Sequence, residues 1–381
     1  MIEQSFFLLI SVLIILAYVG FILWLVFIFI LKQKKQRQAY FEPFISLVII
    51  FRNEEKALPL LLQSILKQDY PKSKMEIIFV DDSSNDNSLS LVRTFQKNQR
   101  EYPVKIFELD KEKNNALGKK EALTLAYSKA EGDYILLTDA DCQFDTKNIR
   151  SRIQSFQNPR IKVVSAAVLI NKEKTIFSLS QSLENLSLIA TTAATTAANI
   201  PILSNGANLA FERKSFLKLS ADALLKEENS GDDLFLLHRF KKHFGAKSIA
   251  FEFDNDSIVY TQAQPNIKSF FNQRKRWLSK SKSFKDFWLI TISLLVLIVN
   301  INILIAAIAC IFNAKYLIVF LFLFGLKFCV DFFFLSIVAQ WYKQKYLLWV
   351  YPLVQLFYPL FVVISNLFAL FFSYEWKGRK Y

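Results

Sequence analysis

The stretch YILLTDADCQF, residues 134–144, sets Asp139 and Asp141 one residue apart directly after an apolar run. The run reads as a buried strand, and a strand that ends on two neighbouring carboxylates needs a reason. Like charges this close oppose each other's ionisation unless a positive group is shared between them. A strand followed by an Asx turn would also use aspartate, without any chemistry. The surrounding sequence has to choose between a turn and a site.

Upstream, FISLVIIF (44–51), MEIIFVDD (75–82) and VKIFEL (104–109) are further strand-like runs. Between them EEKALPLLLQSILKQ (54–68), DNSLSLVRTFQKN (86–98) and KKEALTLAYSKA (119–130) read as helices, with Asn53 placed to cap the first. Continuous apolar strands alternating with helices predict an α/β fold whose mostly parallel sheet is covered on both faces. In such sheets ligands bind beyond the carboxyl ends of the strands. Asn53, Asp81, Asp82, Asp139 and Asp141 all fall at those ends.

The first strand is not followed by GxGxxG, and GxxxxGK[ST] does not occur, which excludes the dinucleotide fingerprint and the P-loop. A nucleoside diphosphate still needs its oxygens neutralised, and a hard divalent cation bridging carboxylates and phosphate does this. Asp139 and Asp141 therefore predict a site for a hard divalent cation. Lys119, at a helix start after Gly118, is a candidate phosphate contact because helix N-termini favour anions. A solvated lysine beside Lys120 is the alternative.

Beyond this insert the chain is apolar: 53% of its 381 residues are hydrophobic, with 38 Phe. Residues 5–31 carry no charge and end in LKQKKQRQ, which predicts a retained transmembrane anchor rather than a cleaved signal. Three late blocks, 287–312, 316–340 and 347–372, predict a C-terminal membrane region, giving four spans in all. Lys327 and Asp331 in the second late block stand four apart and should pair across a helical turn. Lys32, Lys34, Lys35 and Arg37 follow the anchor, and Lys280, Lys282 and Lys285 precede the first late block. By the positive-inside rule, residues 40–285 form a cytosolic domain of an integral protein in a bacterial-type plasma membrane. The net charge of +14 suits an anionic leaflet, and no aromatic-interleaved basic stripe points to nucleic acid. Three cysteines without paired spacing imply neither a disulfide framework nor a cysteine metal site.

With FRNEE, VDDSSNDNS, TDADCQF, SNGANLAF, SGDDLFL and QRKRW in this order, residues 43–280 resemble the inverting family 2 glycosyltransferases. The similarity is to the membrane-embedded branch that contains cellulose, chitin and hyaluronan synthases. It implies a GT-A nucleotide-sugar-binding domain flanked by transmembrane helices. It also implies that Asn53, Glu54, Asp81 and Asp82 line the nucleotide site, with Asp82 on the base, usually uracil. Asp139 and Asp141 match the family's DxD pair, Asp141 as the direct ligand of Mg²⁺ or Mn²⁺ and Asp139 toward ribose and metal waters.

Asp233 of SGDD takes the place of the family's general base, with Asp232 where glutamate is usual. Gln273, Arg276 and Trp277 match QxxRW, Arg276 facing the departing diphosphate and Trp277 the acceptor. Read without the family, QRKRW is a basic helix at the membrane interface. Gly206 in ILSNGANLAFER suits a positive φ or a close approach. His238 and His243 read as a polar helix face, and ENLSLIATTAATTAANIP (184–201) as a tightly packed helix without assigned chemistry.

The expected activity is sugar transfer, with inversion, from a nucleotide-sugar, UDP-linked by resemblance, to a hydroxyl of a membrane lipid or envelope glycan precursor. Few polar residues in the late blocks favour one or a few transfers over a processive polysaccharide synthase. A non-catalytic nucleotide-sugar-binding membrane protein would have no need of a base, and a nucleotidyltransferase would release pyrophosphate rather than UDP.

Overall fold

The computed structural model describes residues 2–32, 41–109, 118–172, 174–220, 232–278, 285–371, 375–376 and 379–380. Of the residues singled out from sequence, Lys34, Lys35, Arg37, Lys280 and Lys282 lie outside these. The chain forms two compact units, one from Gln33–Asn171 and Thr195–Gln262, the other from Met1–Lys32, Lys172–Ala194 and Ala263–Tyr381.

The first unit is an α/β fold built from β1 (Ile45–Phe51), α2 (Leu58–Leu66), β2 (Met75–Asp81), α3 (Ser88–Asn98), β3 (Val104–Glu108), α4 (Gly118–Lys129) and β4 (Tyr134–Asp139). It continues through β5 (Gln143–Phe144), α5 (Asn148–Ile153), β6 (Val163–Ala166), β7 (Val168–Ile170), β8 (Leu209–Glu212), α7 (Arg213–Ser220), α8 (Asp232–Phe244), β9 (Ile249–Glu252) and β10 (Val259–Thr261). The seven-stranded sheet runs β3-β2-β1-β4-β8-β6-β9. Its strands are parallel except β8, which is antiparallel to both neighbours. The apolar runs are continuous because β1 and β2 are interior strands covered on both faces, with Leu47 and Ile77 buried on one face and Val48 and Ile78 on the other.

The order 3-2-1-4 means the chain winds outward from β1 and then reverses to place β4 on its other side. That reversal opens a crevice at the carboxyl ends of β1 and β4, where open α/β sheets bind ligands. Register brings Phe51 opposite Asp81 and Ile50 opposite Asp139, so the polar strand ends stand level.

One expectation fails here. Helix α2 starts at Leu58, not Glu54, and its N-cap is Ala57, so Asn53 caps nothing. Asn53 instead adopts a left-handed conformation, φ 53°, and bonds to the loop after β2. Likewise α3 starts at Ser88, and Asp86 accepts the Ser88 N–H from just outside it.

The second unit contains α1 (Ile2–Lys32), most of α6 (Ile176–Ala197), α9 (Ile267–Leu278), α10 (Phe287–Phe312), α11 (Tyr316–Trp341) and α12 (Tyr351–Phe371). Among the described residues three helices, Leu8–Lys32, Phe287–Phe312 and Tyr316–Trp341, are long and apolar enough to cross a bilayer. The block expected as a fourth span opens with a 3-10 turn at Lys345–Trp349 and gives a shorter apolar helix, Tyr351–Leu367, with Pro359 inside. Lys327 does pair with Asp331, at 2.6 Å, and Asp331 also accepts from Tyr18 and Gln355. Polar bonds of this kind fix helix partners where apolar faces alone would slide.

Candidate active site

The crevice wall is two loops zipped together. From FRNEE, the N–H groups of Asn53, Glu54 and Glu55 donate to Ser84 Oγ, Ser88 Oγ and Asp86 Oδ2. In return Asn53 Oδ1 accepts from Asn85 N–H at 2.8 Å and Glu55 Oε2 from Asn87. Side chains that bond backbone in this way compete with helix formation, which is why α2 begins only after Glu54–Ala57 have turned. The two motifs are thus one structural element despite their separation in sequence.

Asp81 and Asp82 are buried, and Asp81 Oδ1 accepts from the N–H and hydroxyl of Ser84, so it shapes the loop. The Asp82 N–H bonds Phe51 O, and the Asp82 carbonyl accepts from Arg52. Burial works against ionisation of Asp86, but bonds from Ser88 and the Glu55 N–H outweigh it and lower its carboxyl below the ordinary range.

After β4 the chain turns tightly, with Cys142 N–H on Asp139 O at 3.1 Å. Ala140 points inward and is buried, which leaves the flanking Asp139 and Asp141 half-exposed. Lys119, on the first turn of α4 after Gly118 at φ 47°, reaches Asp139 Oδ1 at 2.7 Å. It therefore stands beside the acid pair and remains partly exposed. Asp141 Oδ2 accepts from the Thr261 hydroxyl at 3.2 Å, and the Cys142 thiol faces Oδ1 at 3.6 Å. Burial, followed by the charges of Asp141 and Asp139, pushes the Cys142 thiol well up, so it stays protonated and donates.

Hard carboxylate oxygens suit Mg²⁺ or Mn²⁺. Among the described residues no three His, Cys, Asp or Glu side chains cluster as a metal cage. A pair of acids without a third ligand fits a cation that is completed by substrate phosphates.

Asp233 lies one residue into α8, and its Oδ2 accepts the Gly206 N–H at 2.8 Å. Gly206 has no positive φ, and a Cβ would fit there without a clash, so neither expectation for this glycine holds. A Cβ there would sit 3.4 Å from Asp233 Cβ and 3.5 Å from Oδ2, ordinary van der Waals contact. The segment is anchored by Asn208, whose amide donates to the carbonyls of Ala167 and Ser257. His238 bonds Ile202 O, a structural role. For Asp232 only the backbone is described.

Gln273, Arg276 and Trp277 lie on α9, in the other unit. The residue that sequence reasoning passed over is Arg274 between them, which is buried and paired with Glu184 of α6. Thr261 and Ser84 were also missed. Only the spacing of Phe270, Arg274 and Trp277 along one helix face signalled Arg274 in advance.

Two family descriptions match the chain: Glycosyl transferase family 2 over residues 46–218, and Glycosyl transferase family group 2 over residues 134–374. A poly(ribitol-phosphate) β-N-acetylglucosaminyltransferase of Staphylococcus aureus is 30% identical over 105 residues, 28% of this chain and 17% of that protein. A poly-β-1,6-N-acetyl-D-glucosamine synthase of Staphylococcus epidermidis is 29% identical over 146 residues, 38% and 33% of the two chains. A β-monoglucosyldiacylglycerol synthase of Trichormus variabilis is 25% identical over 146 residues, 38% and 30%. The matches therefore span no more than about a third of these relatives (17%, 33% and 30%). Among solved structures, a mannosyltransferase of Pyrobaculum calidifontis in complex with GDP-Man and Mn²⁺ superposes with a TM-score of 0.60 at 18% identity, covering 92% of this chain and 99% of that one. The shared fold is GT-A-like.

Proposed function

The chain belongs to the family 2 glycosyltransferases, and from that premise we propose a membrane-bound inverting enzyme that moves a sugar from a UDP-sugar to a hydroxyl of a membrane lipid or envelope glycan precursor. One observation carries the reading: Asp139 and Asp141 stand at the switch between β1 and β4, half-exposed and beside Lys119, within the same unit as Asp233.

In this mechanism Asp233 takes the proton of the acceptor hydroxyl on Oδ1, while the Gly206 N–H holds Oδ2 and fixes the carboxylate. The acceptor oxygen attacks the anomeric carbon as the bond to the diphosphate breaks, so UDP leaves and the configuration inverts. Asp139 and Asp141 would hold a divalent cation, which when bound neutralises charge on the leaving diphosphate. Lys119 adds positive charge there, Asp82 orients the base, and Asn53 and Glu54 hold the nucleotide loop; for Arg276 the family resemblance supports a part in neutralising the departing diphosphate. The family resemblance assigns Trp277 to the acceptor side, and Gln273 shares its QxxRW motif. The cation in the Pyrobaculum neighbour's complex supports the cofactor assignment.

Transfer of one or a few sugars is supported by the membrane helices. Asn302 bonds Ser11, Lys327 and Gln355 bond Asp331, and Asn300 and Asn366 bond carbonyls of their own helices. Apart from the buried Asn300 Oδ1, which has no partner among the described residues, these polar groups bond within the protein. The domain faces the cytosol, where nucleotide-sugars are made.

The test gives full-length protein in vesicles a panel of UDP-sugars and GDP-mannose with Mg²⁺ or Mn²⁺. Release of UDP with a short, lipid-extractable, inverted product by NMR and mass spectrometry is expected. Retained configuration, pyrophosphate release or long lipid-free chains would each overturn a stated part.

A further inference from the structure

We propose that Arg274 and Glu184 are the positioning pair of α9, an ion pair that sets the orientation of Trp277 and of the Gln273 amide. The inference rests on the glycosyl-transfer reading, which assigns Trp277 to the acceptor side and Gln273 to the same motif.

Arg274 is only 6% exposed. Its Nε donates to Glu184 Oε1 at 2.9 Å and its Nη2 to Oε2, a two-bond fork. The remaining nitrogen, Nη1, donates to Gln273 Oε1 at 3.0 Å. The guanidinium carbon lies 4.2 Å from the Trp277 ring centroid and 4.6 Å from that of Phe270. Residues four before and three after Arg274 share its helix face, so this stacking follows from the sequence once Arg274 turns inward. A planar guanidinium bonds through its edge and stacks through its face. Here the edge is committed to Glu184 and Gln273, and the face to aromatic rings.

Turning Trp277 aside would strip stacking from a buried cation, and turning Gln273 would strip a hydrogen bond. Breaking such contacts in a desolvated place costs far more than at the surface. The partner that holds the cation comes from α6, a separate element, so the arrangement is not an accident of one helix turn. With its oxygen taken by Arg274, Gln273 offers its amide N–H groups to a ligand oxygen. Arg274 itself touches no substrate and acts through its neighbours. Lysine there would keep the charge but lose both the fork and the stacking.

The experiment uses full-length protein in vesicles of phosphatidylglycerol and diacylglycerol, with UDP-glucose, UDP-N-acetylglucosamine and UDP-galactose as probes and UDP release as readout. Glu184→Gln and Arg274→Lys should each lower kcat at least about tenfold while Mn²⁺–UDP affinity stays within about twofold, the scale of a lost interaction of roughly 1.4 kcal/mol. In a double-mutant cycle, Glu184→Gln should add nothing to the loss caused by Trp277→Ala and Gln273→Ala together, because it acts through those two side chains. Losses that multiply, wild-type turnover in Glu184→Gln, or nucleotide affinity lost together with turnover would each overturn the proposal. A second readout needs no turnover. In protein labelled with 5-fluorotryptophan, Glu184→Gln should shift the fluorine line assigned by Trp277→Phe, and an unmoved line would also overturn it. A wild-type protein that releases no UDP would sink the transfer reading, while the fluorine spectrum would still decide the pair.

Discussion

The two edges of one sheet treat charge in opposite ways. At the amino edge, Glu76 opens β2 and is 1% exposed. It accepts from Ser46 of β1, Lys105 of β3 and the N–H groups of Glu131 and Gly132 before β4. Burial opposes its ionisation, but these bonds outweigh that and lower its carboxyl below the ordinary range. Gly132 is required because a Cβ would lie 2.4 Å from Ser46 N. At the carboxyl edge of the same strands, Asp139 is 37% exposed and Asp141 half-exposed, with Lys119 and Thr261 beside them. An acid whose oxygens are consumed by the protein stiffens the fold. An acid left half-open at a strand end has coordination to offer a ligand.

The largest expected effect lies on the open side. Asp233→Asn keeps the Gly206 contact but cannot take a proton, so turnover should fall by about 10²–10⁴-fold while Mn²⁺–UDP affinity holds. Calorimetry and UDP release measure the two, and undiminished turnover would remove Asp233 from proton transfer. Asp141→Asn should lower turnover by about 100-fold, equivalent to roughly 2.7 kcal/mol of barrier, and here metal-dependent UDP binding should weaken too. Unchanged affinity would place Asp141 outside the cation's ligands.

The closed side should break differently. Glu76→Gln should cost about 2–3 kcal/mol of stability and leave UDP affinity unchanged. Because the folded carboxyl titrates below its ordinary value of 4.5, this contribution is full above that pH and is lost as pH falls through the lowered value. Denaturation of wild type and variant should therefore converge in acid, and a gap that does not narrow as pH falls below 4.5 would contradict the ion-pair account. The smallest effect is at the loop zip. Asn53→Ala loses the bond to Asn85 and puts alanine at positive φ, for about 1 kcal/mol. A melting shift larger than that of Glu76→Gln would show that the loops, not the amino-edge cluster, dominate stability.

How much could be read in advance differs by element. The strand ends were legible because interior parallel strands are continuous apolar runs that stop abruptly at polar residues, as at Asp81 and Asp139. The start of α2 was not, because the groups that divert Asn53, Glu54 and Glu55 from helix sit on the loop beyond β2. Asp233 alone looked like the end of an acidic loop, and only resemblance gave it a role. Its contact with Gly206 joins residues 27 apart in sequence.

By itself the sequence determined the alternation of strand and helix, the acid pair after β4, the apolar spans and the Lys327–Asp331 pair, since each follows from local period or short spacing. Only the tertiary structure decided which charges close on one another. Glu76 with Lys105, Asp233 with Gly206 and Arg274 with Glu184 meet across 29, 27 and 90 residues respectively. Which acid is buried, and which stays half-exposed at a strand end, depends on strand order and helix packing. No local pattern encodes those, because a carboxylate's partners are chosen by the fold that brings them within three ångströms.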